Sequence, residues 1–189
     1  GTIMISALCG FAFGYLTDFA LVGFVAGALS GAFIAAFISY CDIKLRMDQI
    51  AVGFVLTILC IDLSNYLGQE YVRINGPIVS KFSLPLISKI PFIGKILFNH
   101  SLITYFSILL IPSSWFFLNK TNLGLAIRAS GENPLAARSR GINVKKMRFI
   151  GTIIGGALLG LAGATFSLYT KYGWSESHTA NYGWIILAI

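Results

Sequence analysis

The chain has 189 residues, of which 56% are hydrophobic and 11% charged, whereas an ordinary soluble domain carries about a quarter of its residues charged. With a mean hydropathy of +0.79, a water-soluble fold would need a core too large for this length, so the solvent of the chain is lipid. The formal charge of +7 does not point to nucleic acid, because seven of the fourteen Lys and Arg lie between Lys120 and Arg148, where a juxtamembrane cytoplasmic loop accounts for them.

In chain order, residues 1–17 are apolar and lack an initiator Met and a basic start, so they read as part of a helix rather than a signal peptide. Residues 19–41 form a run of 23 without a charge, long enough to cross a hydrocarbon core of about 30 Å at 1.5 Å per residue. Residues 49–67 form a second span with one charge, Asp62. Residues 68–101 hold Pro77, Pro85 and Pro91 with Lys81, Lys89 and Lys95 among Phe, Ile and Leu, a mixture suited to an outer loop lying along the interface with lysine stems snorkelling. Residues 102–118 are an uncharged third span that contains Pro112, and residues 149–169 are a fourth. The C-terminal GWIILAI stops in mid-run, which leads us to expect an all-α polytopic bundle in one transmembrane domain, truncated at the ends.

The Lys and Arg bias sets the orientation. With residues 120–148 cytoplasmic, alternation places 42–48 inside and 68–101 and 170–182 outside. Basic density then runs seven in 29 and two in seven residues inside, against four in 34 and one in 13 outside. Within the spans, Gly23, Gly27, Gly31 and Ala35 recur every four residues. So do Ser6, Gly10 and Gly14, Gly151 and Gly155, and Gly156, Gly160 and Ala164. Stripes of small residues let helix backbones approach where lipid supplies no hydrophobic drive between helices. Cys9, Cys41 and Cys60 lie inside apolar runs and read as small core residues.

The loop at 120–148 contains a short helix of its own. Asn133 is a good N-cap, Pro134 suits the first helical position, and Gly141 can take the left-handed conformation that ends a helix. The spacing predicts a helix over residues 134–140, roughly 10 Å long and marginal in water unless it has a partner surface. Ala136 and Ala137 keep its bulk low while Arg138 and Arg140 keep it charged. The positive-inside rule explains Lys145, Lys146 and Arg148, yet it requires neither the Asn-Pro start nor the Gly stop.

These residues carry a family resemblance. The pattern T-x-x-G-L-A-I-R-A-x-G-E-N-P-x-A-A-R-x-x-G-I from Thr121 to Ile142, followed by GGALLGLAGA, resembles the permease subunits of ABC importers of the branched-chain amino acid, simple-sugar and nucleoside type. DQIAVGFVLTILCIDLSNYLG, LPLISKIPFIGKILF and YGWIILAI resemble further family segments in the right order. The resemblance implies a type II importer fold, two permease subunits around one pathway, and a cytoplasmic coupling helix that engages an ATPase. The coupling positions it implies are Gly131, Glu132, Asn133, Pro134, Ala136, Ala137, Arg138 and Gly141. The other partners it implies are a second permease, identical or different, and an extracytoplasmic substrate-binding protein, all at a bacterial plasma membrane.

Asp62 lies roughly 7.5 Å from the outer end of its span, where a charge facing lipid is costly. Asp62, Asn65, Tyr66 and Gln69 fall at i, i+3, i+4 and i+7, one polar stripe that either lines a wet pathway or pairs with a neighbouring helix. His100 and His178 are isolated, so no metal or other cofactor is expected. No phosphate-loop pattern and no nucleophile-base constellation is present, so the chain is expected to carry no catalytic residue and to rely on a separate ATPase. The reading is a permease for a small polar solute, a nucleoside or a simple sugar. The alternatives are a branched-chain amino acid permease and an ATPase-independent secondary transporter or channel, which transport persisting without ATP would favour.

Overall fold

The structure, a computed structural model, describes residues 1–72, 74, 102–170 and 173–175. The expectations for most of the outer loop, for His100 and His178, and for most of 170–182 lie outside the described residues. Those described are helical throughout apart from short connections and one bridge, Val72 to Trp174. The helices are α1 (Thr2–Thr17), α2 (Ala20–Ile43), α3 (Gln49–Gly68), α4 (Leu102–Lys120), α5 (Asn122–Glu132), α6 (Pro134–Ser139) and α7 (Val144–Thr165). They divide between two compact units, one of Gly1–Ile78 with Asn143–Ile189, the other Val79–Ile142.

In the first unit the small-residue stripes become helix contacts. The α2 stripe of Gly23, Gly27 and Gly31 is buried, and its glycines leave room for neighbouring backbones: a Cβ on Gly31 would meet the carbonyl of Gly156, and one on Gly27 would stand 2.6 Å from the Cβ of Ala164. On α1, Ser6, Gly10 and Gly14 are buried as the pattern predicts, and a Cβ on Gly10 would also meet Ala164, at 2.8 Å. The α7 stripe used is Gly156, Gly160 and Ala164. Gly155, on the neighbouring stripe, is exposed with nothing within 4 Å of an added Cβ. A core of Met4, Ala7, Leu8, Phe11, Ala164, Leu168 and Trp174 fills the centre.

Dispersion alone does not set the register of these smooth faces. Buried serines add direction, since a polar group in hydrocarbon must be satisfied within the protein. Ser167 Oγ donates to the Ala7 carbonyl at 2.8 Å, Ser64 Oγ to the Met4 carbonyl at 3.3 Å, and Ser30 Oγ lies 3.1 Å from Ser6 Oγ. Each such bond contributes about 0.5–1.5 kcal/mol and costs more if left unmade. All three tie α1 to a different element, so the shortest of the unit's helices is fixed in register against three neighbours. Ser167 belongs to a π-helical turn, Phe166–Thr170, that continues α7.

Among the described residues, three helices, counted with the turns that continue them (Ala20–Ile43, Gln49–Tyr71 and Val144–Thr170), are long and apolar enough to cross a membrane. Against the predicted spans, α7 starts five residues early. Asn143 caps it by accepting the Lys146 N–H at 3.1 Å, so the charged residues that end the hydropathic run still lie within the helix.

In the second unit α4 passes through Pro112 without ending. It stops at Lys120, where Thr121 Oγ1 accepts the Gly124 N–H at 3.1 Å and donates to the Phe117 carbonyl at 2.6 Å. One hydroxyl thus closes α4 and opens α5. A Cβ on Gly124 would collide with that same carbonyl, so the glycine permits the tight turn. α5 falls within the stretch that the sequence offers only as a loop.

Candidate functional site

The short helix α6 is fixed at both ends by its own backbone chemistry. Asn133 sits in an extended conformation, and its Oδ1 accepts the Ala136 N–H at 3.1 Å. Pro134 occupies the first turn, where its missing N–H costs nothing. At the other end the Ile142 N–H donates to the Ala137 carbonyl at 3.0 Å and the Gly141 N–H to the Arg138 carbonyl at 2.9 Å. This pair of reverse bonds is the Schellman arrangement, which needs a left-handed residue, and Gly141 has φ +79°. The helix ends at Ser139, one residue before the predicted end, because Arg140 is already the turn into that arrangement (φ −87°, ψ 7°).

The side chains sort by face. Ala137 is buried at 3% exposure, while Ala136, Arg138 and Arg140 are exposed. Gly131 and Glu132 form the last residues of α5, where Arg128 pairs with Glu132 at 3.2 Å and donates to Asn119 Oδ1 at 2.6 Å. Such an exposed i,i+4 pair contributes only about 0.3–0.5 kcal/mol. The residue that sequence reasoning missed is Leu135. It is 77% exposed on a helix otherwise made of small and charged residues. The sequence carried no signal for it, because whether one leucine on a short helix is covered depends on what packs against that helix.

The polar residues at the end of α3 and just beyond it differ in burial. Asp62, Tyr66 and Gln69 are exposed, and Asn65 is half-buried, its Oδ1 enclosed with no hydrogen-bond donor among the described residues. Among the described residues the carboxylate of Asp62 has no ion-pair partner; the recorded ion pair is Arg128 with Glu132. The stripe therefore lies on a face that this chain's described helices leave open. An unpaired carboxylate on an apolar helix needs water, a ligand or another protein surface opposite it.

The whole chain, residues 1–189, matches the family described as Branched-chain amino acid transport system / permease component. Among curated relatives, a Haloferax volcanii protein named "Putative glucose ABC transporter permease protein TsgC13" is 33% identical over 100% of this chain and 59% of its own length. The nucleoside ABC transporter permease protein NupC of Lactococcus lactis is 36% identical over 93% of this chain and 56% of its own length. The guanosine ABC transporter permease protein NupQ of Bacillus subtilis is 35% identical over 89% and 53%. The chain thus spans little more than half the length of these relatives. No solved structure matches it. Glycine-striped helices of membrane-crossing length, a doubly capped helix in a basic segment and a family match from the first residue to the last agree: the chain is a multi-pass plasma-membrane protein that belongs to the permease-component family of the branched-chain amino acid transport system.

Proposed function

We propose that this chain forms part of the membrane pathway of an ATP-driven ABC importer for a small polyhydroxylated solute, a nucleoside or a simple sugar. A separate ATPase supplies the energy by pressing on α6. The observation that carries the reading is the construction of α6. A helix of six residues is too short to persist in water by itself, yet this one is closed at both ends and holds one large apolar side chain, Leu135, out to solvent. The leucine offers a partner apolar area to bury, and the arginine beside it is a residue type enriched at interface hot spots.

Gly131 and Glu132 lead into the helix, Asn133, Pro134 and Gly141 shape it, Ala136 lets a partner surface approach, Ala137 seats it, and Leu135 and Arg138 meet the ATPase. ATP binding draws two ATPase subunits together, the coupling helices follow, and the glycine-lined helix contacts permit the bundle to tilt between outward- and inward-open states. A second permease, identical or different, completes the pathway, and an extracytoplasmic binding protein delivers the solute. Asp62, Asn65 and Tyr66 face that pathway. A carboxylate accepts two hydroxyl donors, and an amide and a phenol supply both donors and acceptors. This suits the hydroxyl-rich solutes in the names of the relatives above.

The test is Leu135→Glu in the complete transporter, at membrane abundance matched to the parent. Loss of the ATPase on co-purification, with the permease still folded, is the expected result. Full retention of the ATPase and of solute-stimulated hydrolysis overturns the coupling assignment.

A further inference from the structure

At the basic end of the first unit, the C-terminal turn of α2 and the start of α7 enclose a groove of about 490 Å³. Lys44 and Arg46 come from one side, Lys145 and Lys146 from the other, and the apolar wall includes Tyr40 and Phe149. The Lys44 Nζ is held 5.2 Å from the centre of the Tyr40 ring, a cation–π contact that keeps one charge at the groove rather than free in solvent. We infer that this groove is a binding site for an anionic phospholipid, its phosphate among the four cations and the upper part of its acyl chains along the aromatic wall.

Three observations favour that occupant. The positive-inside rule asks for basic residues near the ends of spans. It does not ask that two segments a hundred residues apart place four of them around one cavity. The acids nearest in sequence do not neutralise the set: among the described residues neither Asp42 nor Asp48 is ion-paired with any of the four, and Asp48 Oδ1 is taken up by the Ile50 N–H at 2.9 Å. One first-turn amide of α7 is already taken, since Asn143 Oδ1 accepts the Lys146 N–H. The charge is therefore carried by side chains and left without a counter-ion. Finally, the groove has a mixed lining, with Tyr40, Ile43 and Phe149 beside the four cations, and it lies at the ends of two helices long and apolar enough to cross a membrane. That combination matches a phospholipid with a negatively charged headgroup better than it matches a free anion.

The experiment uses the full-length permease purified from membranes into phosphatidylcholine nanodiscs with and without phosphatidylglycerol, with retained lipid counted by native mass spectrometry. The parent protein should retain phosphatidylglycerol and not phosphatidylcholine. The pairs Lys44→Gln/Arg46→Gln and Lys145→Gln/Lys146→Gln should each reduce retention, about five-fold for each charge removed. Lys44→Arg/Lys145→Arg should preserve it, as should Lys120→Gln, which removes a cation outside the groove. Using two pairs keeps the result readable if one of them inserts poorly. Retention unchanged in both pairs, or equal retention of phosphatidylcholine, overturns the proposal. So does displacement of the lipid by millimolar inorganic phosphate, which indicates a site for a soluble anion. Loss of ATPase co-purification with lipid retention intact overturns it in favour of a protein contact.

Discussion

Gly27 of α2 and Ala164 of α7 approach so closely that a Cβ on the glycine would lie 2.6 Å from the alanine Cβ. Carbon atoms do not tolerate that separation, and the atoms behind Gly27 are backbone: Gly160 O at 3.0 Å and Ser6 O at 3.2 Å. Gly27→Val should therefore force α1, α2 and α7 apart and lower stability by at least the ~1–3 kcal/mol typical of overpacking. Gly155→Val, at a position with open space around it, should leave stability unchanged. Thermal unfolding of both proteins in detergent separates the two outcomes, and equal midpoints would show that the stripe is not a contact.

That pair also shows where sequence periodicity stops being informative. Both α7 stripes fit the four-residue repeat, and the repeat cannot say which one meets a neighbour, because that depends on how α1 and α2 are rotated. The spans were legible since hydropathy and length suffice to place them. Their ends were less so, because Asn143 extends α7 through three cations that a hydropathy reading excludes. α5 was missed because its start depends on one hydroxyl, Thr121, serving two helices at once. In α6 the caps were legible to within one residue, as cap chemistry is local. The exposure of Leu135 was not, because exposure is a tertiary property.

The end of α6 makes a second prediction. Gly141 adopts φ +79°, a region in which a β-branched residue is a steric outlier. Gly141→Val should disrupt the two reverse hydrogen bonds and raise hydrogen exchange at Gly141 and Ile142. Asn133→Ala should cost about 1 kcal/mol at the other end, and Asn133→Asp should not. Both damaging changes should reduce ATPase co-purification without changing membrane abundance. Unaltered exchange in Gly141→Val would mean that the helix does not depend on its caps.

Asp62 supports a third. Its carboxylate is exposed and has no ion-pair partner among the described residues, so Asp62→Asn removes charge without leaving a buried cation behind. Solute uptake should fall by more than ten-fold if two hydroxyl bonds to a charged acceptor are lost, at about 1.5 kcal/mol or more each. Assembly should survive. Loss of the folded complex would assign Asp62 to pairing with another subunit instead, and normal uptake by an intact complex would remove it from the pathway.

Orientation supplies the fourth. The groove brings the 44–46 turn and the start of α7 to one end of the first unit, and both segments are basic, so both belong on the cytoplasmic side. In a background lacking Cys9, Cys41 and Cys60, Leu45→Cys should react with an impermeant thiol reagent only in opened cells. Gln69→Cys, exposed beyond the far end of α3, should react in intact ones. The opposite pattern would invert the topology and remove α6 from the ATPase side.

The serine clamp on α1 bears on how the protein is made. Ala7 accepts from Ser167, and a Cβ on Gly163 would lie 3.1 Å from the Ala7 nitrogen, so a turn of α1 is completed only by the last of the described helices and the turn that continues it. At about 5–20 residues per second, translation needs on the order of ten seconds to deliver α7 after α1 has left the ribosome. During that interval the glycine faces of α1 and α2 lack the α7 surface against which they pack in the structure. A nascent chain halted before α7 is therefore an incomplete bundle whose small-residue faces on α1 and α2 lack their partner helix. Completion of α7 covers those faces, so the packing of α1 waits on the synthesis of the last described helix.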